Sequence, residues 1–131
     1  MKITATIASL LPVLGLVAAD ALHLTDCNFG GGSYSEILYY TNDADSYSGQ
    51  APADQNNICQ WVTQKSWTSP QSCTFRSGVT VTTNLSGASS VGAYAGTASN
   101  GYHNFNCYKD SGRVIYTISS GSCNSLYYCL S

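Results

Sequence analysis

Charge is what this sequence has least of: charged residues fill 9% of its 131 positions, five Lys and Arg against seven Asp and Glu. The bases beyond the N-terminus, Lys65, Arg76, Lys109 and Arg113, are dispersed and form no stripe that would track a polyanion. This argues against strong nucleic-acid binding and against attraction to anionic membranes. The net charge of −2 also disfavours an antimicrobial role by membrane disruption, which draws on excess Lys and Arg. Histidine is nearly absent. His23 and His103 show no ligand spacing to any cysteine pair, and no C-x-x-C occurs. We accordingly expect no metal and no cofactor. G-x-S-x-G, H-E-x-x-H, P-loop and close paired-carboxylate patterns are missing as well, which removes the common catalytic routes. No apolar run after the N-terminus approaches the roughly 20 residues that span a bilayer.

What is present begins with a secretory signal. Met1-Lys2 supplies the positive start, Ile7 to Ala18 an apolar stretch of h-region length, and Val17-Ala18-Ala19 a small-residue cleavage site, with Ala19-Asp20-Ala21 as a second option. We read residues 1–19 as the signal peptide and 20–131 as a single secreted, disulfide-rich domain, expected to be monomeric. Ser, Thr, Asn, Gln and Gly take the hydrating role that charge usually has.

Cys27, Cys59, Cys73, Cys107, Cys123 and Cys129 make an even set, which in a secreted chain indicates a disulfide framework. If Cys123 and Cys129 share one extended strand, they stand about 20 Å apart and must each pair elsewhere. We expect Cys27 with Cys129, tying the first ordered residues to the last strand, and then Cys59 with Cys73 and Cys107 with Cys123.

Ser33-Tyr34-Ser35-Glu36 reads as a capping box after the flexible Gly30-Gly31-Gly32, and Tyr34, Ile37 and Leu38 recur at i, i+3 and i+4. A short helix over residues 34–40 follows, with a buried strand as the alternative. Residues 41–55 are loop, and residues 56–67 fit both helical and strand periods. From Cys73 onward the chain turns β-like. Val79–Thr83 is β-branched, Asn100-Gly101 marks a hairpin, and turns at Asp110-Ser111-Gly112 and Ser120-Gly121-Ser122 continue a meander. The expected fold class is α+β: a short N-terminal helix packed on a four- to five-stranded antiparallel sheet, stapled by disulfides.

Few residues here suggest chemistry. His103, in Tyr102-His103-Asn104, could act as a general base with Arg76 or Arg113 holding a phosphate, but a half-exposed strand histidine is the favoured reading. Glu36 has a structural task in the capping box. Asn84-Leu85-Ser86 is the one N-glycosylation acceptor. Ten tyrosines and two tryptophans are the other resource, since such rings stack on sugars and anchor protein contacts. Tyr39, Trp61, Tyr116 and Tyr127 are assigned to the core. Tyr47, in a polar loop, is the best candidate for partner contact.

The whole chain resembles the small secreted cysteine-rich proteins of filamentous fungi, effectors released into host tissue among them. Asn104 through Asn106, Gly112 to Thr117, Ser120 to Asn124 and the closing Tyr128-Cys129 are similar to the final strands of guanyl-specific ribonucleases. That resemblance implies a helix after Cys27 and a bridge from there to Cys129. It also implies a non-catalytic member, because Tyr116 and Thr117 stand where that family carries a histidine. The expected function is that of a secreted, non-catalytic, effector-like protein that binds a host or extracellular protein or glycan. A small ribonuclease-like hydrolase and a wall glycan-binding or antimicrobial protein are the alternatives.

Overall fold

The computed structural model describes residues 19–131, so nearly all of the signal segment lies outside the described residues. Nine strands make up the domain: β1 (Ala21–Phe29), β2 (Gly32–Tyr40), β3 (Ile58–Gln60), β4 (Gln71–Thr74), β5 (Thr80–Leu85), β6 (Tyr94–Ser99), β7 (Asn104–Lys109), β8 (Val114–Ile118) and β9 (Gly121–Leu130). Every pairing is antiparallel, in the order β3-β2-β1-β9-β7-β6-β5-β4, while β8 lies end to end with β7 along the same edge of β9. The Cys59–Cys73 disulfide joins the two outermost strands of this order, with Cα atoms 6.2 Å apart. The sheet is thereby drawn into a nearly closed barrel, which leaves little free edge for unwanted pairing.

The expected α+β architecture is therefore corrected to an all-β one, with no α-helix among the described residues. Residues 34–40 belong to β2. Tyr34, Glu36, Leu38 and Tyr40 occupy one face of that strand, and Ser35, Ile37 and Tyr39 the other. Both faces are covered, so the strand shows no clean alternation and its apolar positions mimic a helical period. Gly30 and Gly31, at φ +60° and +83°, form the two-residue turn of the β1–β2 hairpin. The expected turn at Asp110–Gly112, by contrast, joins no hairpin, since β7 and β8 both pair with β9 and not with each other.

Inside the barrel, Leu22, Leu24, Ile37, Trp67, Phe75, Val81, Phe105 and Tyr127 form the main core. Tyr39 and Trp61 pack on it partly buried, and Tyr116 packs instead on a second cluster. This second cluster, Leu38, Tyr40 and Ile115, lies on the opposite face of β1–β2, where β8 and a 3-10 turn at Asp43–Tyr47 cover the sheet. Asn42 caps that turn, its side chain accepting from the Ala44 amide at 2.9 Å.

A β-bulge decides how the cysteines pair. Leu24 faces Tyr127 and Thr25 faces Ser125, which leaves Leu126 as an extra residue in β9. Cys123 and Cys129, six positions apart, would otherwise share a face. The extra residue turns Cys129 into the core and Cys123 to the outer side. Cys129 then meets its cross-strand neighbour Cys107, and Cys123 meets Cys27. Two of the expected bridges, Cys27–Cys129 and Cys107–Cys123, are thus replaced, and Cys59–Cys73 is found as expected.

Candidate functional site

The bulge also places Ser125 beside His23 on the outer side of the sheet. His23 Nδ1 lies 3.1 Å from Ser125 Oγ, and Nε2 lies 3.1 Å from Asp43 Oδ1. A carboxylate only accepts, so Nε2 carries the hydrogen toward Asp43. That hydrogen bond is the main reason the Asp43 carboxyl is held below its ordinary value. Acid, imidazole and hydroxyl are connected as in a hydrolase triad, but with the two ring nitrogens exchanged. His23 and Ser125 are both 0% exposed, so no substrate reaches the hydroxyl. Arg113 Nε sits 3.4 Å from Asp110 Oδ2, and its two terminal nitrogens donate to Ser46 O and Ser46 Oγ, each at 3.1 Å. The guanidinium lies over the Tyr47 ring, 4.0 Å from its centroid. Arg113 is thereby committed to clamping the 3-10 turn onto the sheet.

A second buried group is Glu36, on β2 at 4% exposure. Tyr116 donates its hydroxyl to Glu36 Oε1 at 2.7 Å. Burial raises the Glu36 carboxyl above its ordinary value and also pushes the Tyr116 hydroxyl upward. The sulfurs of Cys27 and Cys123 lie 3.7 and 3.4 Å from the same oxygen. Bonded to each other, they have no proton to donate and no thiolate to offer a metal, so only the carboxylate remains as a ligand. Glu36 is thus no helix cap.

The solvent-facing side of β4-β5-β6-β7-β9 has a different character. Strand register aligns its outward residues in rows across the sheet. One row runs Ser72, Thr82, Ser99, Asn104. The next runs Asn84, Thr97, Asn106. The third is a ladder of tyrosines, Tyr94, Tyr108 and Tyr128, with ring centroids 6.1 and 5.4 Å apart. None of these side chains is charged. A shallow depression lies among Thr82, Asn84, Thr97, Ser99 and Asn104. The sequon residue Asn84 stands exposed in the middle row.

The other candidate residues are scattered. Tyr47 is 70% exposed at the corner of the 3-10 turn. His103 occupies the exposed turn between β6 and β7, its amide bound to Asn100 Oδ1. Arg76 lies in the turn between β4 and β5; residues of that turn and Asn100 line a common cleft at one end of the barrel. Arg113 lies past the far end of β7, whose six residues extend about 20 Å, so His103 and Arg113 do not converge. The buried His23 centre and the tyrosine ladder escaped the sequence reading. Neither has a local signal, because both are assembled by cross-strand register between distant segments. Comparison with protein-family models, with characterised proteins and with solved structures returns no match to this chain.

Proposed function

We propose that this chain is a secreted, non-catalytic binding protein that acts in effector-like fashion on a host or other extracellular partner. One observation carries the reading. Of the acid–base groups that come together, His23 and Ser125 are fully buried and only Asp43 is partly exposed, while the Tyr94–Tyr108–Tyr128 ladder and its uncharged polar rows face solvent. Binding needs an accessible surface, whereas catalysis needs an accessible reacting centre. Three disulfides, and the lack among the described residues of any helix long and apolar enough to cross a membrane, suit an extracellular setting.

The test is a pull-down with the oxidised chain from residue 20 onward, presented separately with cell-wall fractions, extracellular protein and total RNA. Retention on wall material or on a discrete extracellular protein, with the RNA intact, is the expected result. RNA cleavage that disappears in both His103→Ala and Arg76→Ala would replace this reading with the hydrolase one.

A further inference from the structure

We infer that the partner is an extended, uncharged glycan, and that it lies on the outward face of β4-β5-β6-β7-β9. This rests on the binding reading above and adds the surface and the chemical class. The face carries hydroxyl and amide groups in two rows, each able to donate and accept, which is the hydrogen-bonding chemistry of a sugar hydroxyl. Beside them the tyrosine ladder offers ring surface for the apolar faces of pyranose rings, with Tyr94 59% exposed at its outer end. The absence of charge is the selective element. A charged ligand would lose its hydration here and gain no counter-ion, whereas a neutral chain meets no such penalty. Strands about 4.8 Å apart across five positions make the face about 19 Å wide, so it suits a chain rather than a single sugar.

Cross-strand tyrosine pairs also stabilise a sheet without any ligand, and the experiment has to separate the two roles. Binding of glucose and N-acetylglucosamine hexamers is measured by calorimetry, with a galacturonic acid hexamer as the charged comparison. The proteins are the oxidised chain, Tyr94→Ala, Asn106→Asp and, as a surface control, Val62→Ala, whose residue is 93% exposed elsewhere. Each is also made with Asn84→Gln, because a glycan on Asn84 would stand in the middle row. The expected result is binding of a neutral hexamer and not the charged one, weakened about tenfold or more by Tyr94→Ala and by Asn106→Asp at unchanged melting temperature. Val62→Ala should leave it unaltered. Neutral binding that both face variants retain overturns the inference. So does capture of an extracellular protein with no hexamer bound, which leaves the binding reading standing. No capture of wall, protein or hexamer overturns both.

Discussion

Glu36 and Asp43 are buried or half-buried carboxyls whose environments push them in opposite directions, and their pH signatures should therefore be opposite. Burial raises Glu36 above its ordinary 4.5. The stability associated with its neutral form is fully present below 4.5 and lost as pH rises through the higher folded value. Glu36→Gln keeps an acceptor for Tyr116 and removes that loss. Urea unfolding should find the variant more stable than the parent at neutral pH, with the advantage gone at about pH 4. Asp43 is held below its ordinary 3.8, first by the hydrogen bond from His23. Its contribution is complete above 3.8 and disappears as pH falls through the lower folded value. Asp43→Asn should lower stability by about 1 kcal/mol at neutral pH and by less in acid. A cost that stayed constant with pH would refute the ionic role. Gly121 is a steric case: a Cβ there would collide with the Asn28 carbonyl oxygen, so β1 and β9 would have to part. Gly121→Ala should destabilise by about 2–4 kcal/mol on chemical unfolding. None of these three roles is legible in local sequence, because each depends on a residue 20 or more positions away that only the fold brings near.

At the scale of elements, the strand-rich C-terminal half was legible and the N-terminal half was not. Val79–Thr83, Asn100-Gly101 and the Ser120 turn carry β-branching and turn chemistry, and all three fall in or beside the strands they indicate. Tyr34–Tyr40 failed because a strand covered on both faces loses its period-2 pattern, and Ser33 with Glu36 then imitates a cap. The cysteine pairing turned on Leu126, a single bulged residue with no composition signal. Cys59–Cys73, assigned together with the mistaken Cys107–Cys123 as the pairs left over, had no sequence signal of its own, and its task is to hold β3 to β4. In the chain-entropy account, removing it should cost about 3 kcal/mol, against more than 4 kcal/mol for Cys27–Cys123, which closes a separation of 96. Paired Cys→Ser variants followed by calorimetry check that order. Limited proteolysis adds a distinguishing readout: loss of Cys59–Cys73 should open cleavage near residues 61–70 first, because those residues link the two strands it holds. Equal cuts throughout the chain would mean that the barrel does not depend on that closure.

For the molecule as a whole, the division between interior and exterior sets the physical character of its encounters. The clustered charges are used up internally: Arg113 holds Asp110 and Ser46, and Asp43 holds His23. Lys109 rests its ammonium over the Tyr127 ring at 5.1 Å, on the core side of β7 rather than on the outward face. An association driven by the remaining exposed charges would weaken steeply with salt, because counter-ions compete for the same groups. One driven by stacking and neutral hydrogen bonds would not. Retention on cell-wall material should therefore change by less than about twofold between about 0.05 M and about 0.5 M sodium chloride. The same retention should fall about tenfold when a single aspartate is placed in the middle row by Asn106→Asp. These two results bear on each other. A steep salt dependence would shift the contact to the dispersed bases, Lys65 and Arg76 above all, and would require Asn106→Asp to act through its effect on overall charge. Val62→Asp, at the 93% exposed loop position, makes the same charge change. If the two aspartate variants weaken retention equally, net charge is the cause. If only Asn106→Asp does so, the uncharged face is where the partner sits.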